Sequence, residues 1–98
     1  MIEKLRKMLP EKTAAYIERP ENRRYYTGFT SSNGFLFVTK DTAVFYTDFR
    51  YIIAARNAVD KCIEVRELDK NRYEIVADLV LRLLRQGDNA DAVNDGFL

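Results

Sequence analysis

Ninety-eight residues, 47% of them hydrophobic and 32% charged, describe at most one globular domain and exclude a disordered tail. Sixteen basic residues against fifteen acidic ones leave a net charge of +1, which gives no field for steering nucleic acid or an anionic membrane. Histidine is absent, which removes the commonest general base, the commonest zinc ligand and every Ser-His or Cys-His nucleophile pair.

Ile2, Leu5, Met8 and Leu9 recur at helical spacing with charges between them, and Pro10 stops the run, so the chain opens on a short amphipathic helix. The same charges exclude a signal peptide, and no later run is long enough to span a bilayer. Thr13 to Ile17 follows as a compact apolar strand, closed by Arg19-Pro20. Asn22 is placed to cap a short helical turn through Tyr25, which Gly28 ends. Arg19, Arg23 and Arg24 beside Tyr25 and Tyr26 form the one local patch where bases could stack; Glu18 and Glu21 offset it, and no nucleic-acid partner is expected.

Gly34 opens "GFLFVT", apolar on both faces and therefore suited to a strand covered on both sides. Lys40-Asp41 makes a tight connection to "AVFYT", so the two strands read as a hairpin, although the strong Asn-Gly signature is missing. Asp48 is placed to cap a helix from Phe49 to about Val59 that buries Ile52, Ala55 and Val59 and turns Arg56 and Asn57 outward. Tyr25, Phe29, Phe35, Phe37, Phe45 and Tyr46 are expected in the core and on the sheet faces. "CIEVREL" alternates, with Ile63 and Val65 on one side and Glu64 and Arg66 on the other, as a half-exposed strand does. Cys62, the single cysteine, permits no internal disulfide, reads as structural and fits a reducing, cytoplasmic location.

Asn71 followed by Glu74 is a variant capping box, and Ile75, Val76, Leu79, Val80, Leu83 and Leu84 form one apolar stripe behind it. Gly87 is expected to close that helix, and "ADAV" to begin one more strand. The order α-β-(α)-ββ-α-β-α-β predicts an α/β fold. It would be a mixed sheet of about five strands flanked by helices, parallel wherever strands are joined across a helix and antiparallel at one hairpin. The sequence ends as a fifth strand would leave the sheet, so a single domain, residues 1–98, cut short at its C-terminus, is expected.

"NRRYYTGFTSSNG" from Asn22 to Gly34 resembles the "N-x-R-Y-L-T-G-F-T-G-S-N-G" element of the creatinase/prolidase N-terminal domain. "YTDFRYIIAA" is similar to that family's "hTDGRYhxQA" segment, where h is apolar, and "NDGFL" at Asn94 to Leu98 to its "E-D-G-F-L" step. Phe49 departs from the common glycine, in a "DFRY" variant seen among aminopeptidase P-like members, and Tyr26 departs from leucine. The resemblance implies a ribonuclease-H-like mixed sheet, and a domain that precedes the catalytic domain of Xaa-Pro aminopeptidases, prolidases and creatinases. The parent enzyme it implies hydrolyses the bond between an N-terminal residue and proline. It uses two divalent metal ions, manganese, cobalt or zinc, held by two aspartates, one histidine and two glutamates of a separate domain. None of those five ligands can be placed on this sequence, so the chain by itself is expected to be inactive, with no catalytic and no metal-binding residue.

The resemblance further implies a homodimer, contact with the parent's catalytic domain and a proline-containing peptide as the parent's substrate. The loop residues Thr30, Ser31, Ser32 and Asn33 are then candidates for the wall of a neighbouring cleft. Arg50 and Tyr51 are candidates for a cleft or subunit contact, weighed against an Arg50 bound within its own domain. Gly28, Gly34 and Asp48 are expected to serve backbone geometry. The other reading is a stand-alone interaction or dimerisation module that lacks a peptidase domain.

Overall fold

Alternation along three adjacent strands sorts the apolar residues onto the two faces of one sheet. The computed structural model describes residues 2–10, 13–31, 33–85 and 91–94, with side chains through residue 82. Its strands are β1 (Thr13–Ile17), β2 (Gly34–Thr39), β3 (Ala43–Thr47), β4 (Glu64–Glu67) and β5 (Asp91–Asn94), ordered β4-β3-β2-β1-β5. Its helices are α1 (Ile2–Met8), α2 (Pro20–Thr27), α3 (Ile52–Ala58) and α4 (Arg72–Arg85).

Ala15, Ile17, Leu36, Val38, Ala43, Phe45 and Val65 face α1 and α3, where they pack with Ile2, Leu9, Ala55 and Val59. Ala14, Tyr16, Phe35, Phe37, Val44 and Tyr46 face α4 and meet Ile75, Val76, Leu79 and Val80. The mixed α/β sandwich expected from the pattern is thus present, with five strands among the described residues. Phe35, Phe45, Leu36 and Val38 are almost wholly enclosed. Each contributes about 1.5–3 kcal/mol by leaving water.

Local chemistry explains most of the boundaries. Thr39 closes the β2–β3 turn by itself: its hydroxyl accepts from the amides of Asp41 (3.3 Å) and Thr42 (3.0 Å), which replaces the missing Asn-Gly. The Asp48 carboxylate accepts from the Arg50 amide at 3.2 Å, and the chain turns through a short 3-10 segment, Phe49–Tyr51, into α3. Asn71 caps α4, its side-chain oxygen accepting from the Tyr73 amide at 2.8 Å rather than from Glu74.

Several expectations need correcting. Asn22 does not cap α2. The helix begins at Pro20, whose fixed φ and missing N–H suit a first helical position, and Asn22 lies inside the first turn. Met8 is 72% exposed, because α1 turns Ile2 and Leu5 toward the sheet while Leu9, just past the helix, reaches it from the next turn. Tyr25 is on the outer side of α2, 57% exposed, with its ring edge-on to Tyr26. Strands β1 and β2 pair antiparallel (Ile17 opposite Leu36), although a helix joins them. Helix α2 does not cross a face of the sheet. It caps one end, so β2 starts where β1 stopped and must run back. The parallel pairings are β3 with β4 and β1 with β5. Gly87 and the end of the "NDGFL" step lie outside the described residues, as do the side chains of Leu83 and Leu84.

Candidate functional site

The register places β1, β3, β4 and β5 with their carboxyl ends at the same end of the sheet as the start of β2. That end carries α2, the loop 28–33, the Asp48–Tyr51 corner and the first turn of α4. Loops in such a position carry ligands in many α/β folds.

The loop is built on Arg23. Its spacing from Thr27, one helical turn on, puts both residues on the buried side of α2, where Arg23 is 5% exposed. Its Nη1 donates to the carbonyls of Glu18 (3.0 Å) and Gly34 (2.9 Å), and its Nη2 to the carbonyl of Ser31 (2.8 Å). One guanidinium therefore ties the exit of β1, the loop and the entry of β2. The Thr27 hydroxyl donates to the Arg23 carbonyl at 2.7 Å and accepts from the Phe29 amide at 3.0 Å. Gly28 ends the helix in the left-handed region, at φ 71°.

Of the predicted site residues, Ser31 is buried and its hydroxyl donates to the Asn33 carbonyl at 3.0 Å, whereas Thr30 is exposed; Ser32 lies outside the described residues. The Asn33 side-chain oxygen accepts from Arg72 of α4. Arg72 also pairs with Glu18 at 3.3 Å, and the Glu18 carboxylate accepts a hydrogen bond from the Tyr16 hydroxyl. Arg50 grips Asp48 with two bonds, Nε to Oδ1 at 3.2 Å and Nη2 to Oδ2 at 3.0 Å, and lies 5.3 Å over the Tyr51 ring. That grip holds the Asp48 carboxyl below the usual carboxylate range. Tyr51 in turn meets Phe29 edge-on at 6.1 Å, and Phe29 meets Phe45 at 6.3 Å. Loop and corner are thereby joined through Phe29, on one packed base.

Sequence reasoning missed Arg23, Arg72, Tyr16 and Glu18. The sequence groups Arg23 with Arg19 and Arg24 in one local patch, and its burial removes it from that patch. The signal that could have found it is the one-turn spacing from Thr27. Arg72 and Glu18 have no local signal, being paired only by the fold.

Burial and the bond to Glu18 push the Tyr16 hydroxyl up from 10.0 to about 12, against the pull of Arg72. A raised folded value means the native chain keeps a proton that the unfolded chain releases. The associated stability is complete below pH 10 and is lost as pH rises through about 12. Urea unfolding at about pH 9 and 11.5 should show a fall in midpoint that is smaller in Tyr16→Phe. An equal fall in both proteins would detach Tyr16 from it.

Among the described residues these groups hold the loop and the corner in place, and they include no nucleophile paired with a base. Among the described residues no three His, Cys, Asp or Glu side chains come together as metal ligands. The Cys62 thiol is pushed up by burial and by Asp60, which makes it a poor nucleophile. No helix of the described residues is long and apolar enough to cross a membrane.

Residues 1–94 match the creatinase/prolidase N-terminal domain. The chain belongs to that family. Its sequence is 42% identical over 59 residues to peptidase YqhT of Bacillus subtilis strain 168, itself uncharacterized, a match that covers 60% of this chain and 16% of that protein. Its fold is that of the Xaa-Pro dipeptidase from Bacillus anthracis, with a TM-score of 0.74 at 23% identity over 95% of this chain and 32% of that one. The aminopeptidase P structure from Streptococcus thermophilus is also similar, with a TM-score of 0.62 at 19% identity over 95% of this chain and 84% of that one. The chain thus spans a third or less of the dipeptidase and of YqhT. In this creatinase/prolidase N-terminal domain, the "YYTGFTSSNG" element is the end of α2, the loop tied by Arg23, and the first residue of β2. "TDFRY" is the corner that Asp48 caps.

Proposed function

We propose that this domain serves a Xaa-Pro peptidase of the aminopeptidase P type as its non-catalytic N-terminal part, contributing to dimer contacts and limiting access to the substrate cleft. The observation that carries the proposal is the family match across residues 1–94, together with the shared fold of Xaa-Pro peptidases. Hydrolysis between an N-terminal residue and proline belongs in this reading to the rest of a longer polypeptide. That part would hold the two divalent ions, and a metal-activated water there is the chemistry they supply. This chain has no histidine for such a centre, and its described residues gather no set of ligands that fits one.

The loop 30–33 and the Arg50–Tyr51 corner are the parts assigned to the cleft or to a subunit contact. A guanidinium that already holds a carboxylate in two bonds, and remains 62% exposed, can be shared with or exchanged to a peptide carboxylate. Arg50→Ala in the longer polypeptide is expected to raise KM several-fold or weaken the dimer about tenfold. The unfolding midpoint should stay in place, because an exposed pair is screened by water. Unchanged KM and unchanged dimerisation would remove Arg50 from the site.

The test of the proposal as a whole is the intact mass of the native polypeptide captured with an antibody to this domain. A mass several times 11.4 kDa, with metal-dependent cleavage of an Xaa-Pro peptide, is the expected result. A mass near 11.4 kDa would instead support a stand-alone interaction module.

A further inference from the structure

We infer that the free edge of β4 is a self-pairing surface, at which a second copy of this chain adds its own β4 antiparallel, with Val65 on the two-fold axis. This deepens the dimer-contact part of the proposed function and is independent of the peptidase part. Among the described residues, strand β4 ends the sheet order, with β3 on one side only. The Leu68 amide donates to the Thr47 carbonyl at 2.8 Å, which fixes the direction of the backbone groups along the strand. Backbone groups alternate, so Glu64 and Arg66 point their N–H and C=O toward β3, whereas those of Ile63, Val65 and Glu67 point away. Arg56 confirms the direction: it reaches the Val65 carbonyl from outside at 3.4 Å, a contact long enough to yield or share that oxygen.

Two antiparallel copies can exchange hydrogen bonds only where outward-pointing residues face each other. Three registers satisfy that rule near the strand centre. Centring on Glu64 sets Glu64 against its own copy, and centring on Arg66 sets Arg66 against its own copy; both oppose like charges. Centring on Val65 sets Glu64 opposite the partner copy's Arg66 and Arg66 opposite the partner copy's Glu64, on the face that α4 occupies. In the single chain these two side chains already pair at 3.0 Å and remain about half exposed. Association exchanges that contact for two cross-strand pairs and adds two amide–carbonyl bonds at Val65 and one from each copy's Glu67 amide to the other copy's Ile63 carbonyl, the Ile63 amide being already bonded to the Asp60 carbonyl at 3.0 Å. Backbone parity and charge therefore select the same register. The edge is four residues long, so the dimer belongs to the weak end of interfaces.

Sedimentation of the 98-residue chain from about 10 µM to 1 mM tests this. The expected result is a reversible dimer that Glu64→Arg or Arg66→Glu weakens roughly tenfold or more by opposing like charges, and that the double exchange E64R/R66E restores. Amide exchange at Val65 and Glu67 should slow as concentration rises, while that at Glu64 and Arg66 stays constant. A chain that remains monomeric throughout, or a dimer that neither single variant weakens, overturns the inference. Either outcome leaves Xaa-Pro cleavage by a longer polypeptide to be judged on its own.

Discussion

Arg23→Ala is expected to destabilise the domain by about 3–5 kcal/mol, a large part of the stability of a chain this size. The reason is not the loss of one attraction but what remains afterwards. Three carbonyls, of Glu18, Ser31 and Gly34, converge on the guanidinium; those of Ser31 and Gly34 are buried with it. Removing the donor leaves oxygens that cannot reach water without opening the loop, and each such group costs about 1–3 kcal/mol. Arg23→Lys should recover less than half, since a single ammonium cannot reproduce a planar fork aimed at two directions. Urea unfolding gives the magnitude, and amide exchange over 29–33 gives the place. A loss below about 1 kcal/mol would show that the loop holds its shape by other means.

Arg23 also marks the limit of what the sequence discloses. Elements whose cause is local are legible: Thr13–Ile17 and Ala43–Thr47 as apolar strands, the entry of β2 at Gly34, and the caps at Asp48 and Asn71. In each, the residues that decide lie within a few positions of one another. The start of α2 was misread because two local signals compete there, and the ring of Pro20 fixes the backbone more firmly than Asn22 can through one hydrogen bond. The antiparallel pairing of β1 and β2 was misread because direction depends on where α2 ends up, not on its being a helix. Its position is set by Arg23 bonding to both strand ends. A charged side chain reads as surface unless its partners are known, and here the partners are main-chain carbonyls, which every sequence contains. The tie between Arg72 and Asn33 spans 39 residues and has no local trace at all. The scaffold of the candidate site was therefore legible and its fastenings were not.

Gly34→Ala is expected to cost about 4 kcal/mol or more, enough to leave much of the chain unfolded at room temperature. Gly34 opens β2 at φ 142°, a backbone region almost closed to other residues. A Cβ built there would lie 2.3 Å from the Tyr46 carbonyl oxygen and 3.4 Å from the Phe45 ring. The oxygen belongs to the backbone of β3, an interior strand paired on both sides, so it cannot swing aside as a side chain would. Relief would require parting β2 from β3 where Gly34 faces Thr47, and that would carry away the Gly34 carbonyl that Arg23 binds. Gly28 supplies the control. It too is left-handed, at φ 71°, but nothing lies within 4 Å of its would-be Cβ. Gly28→Ala should therefore cost only about 1 kcal/mol, the conformational part alone. Denaturant unfolding of the two variants separates strain from collision. Equal losses would mean that β2 and β3 can part by an ångström without penalty, and that the loop end of the sheet is far softer than its packing describes.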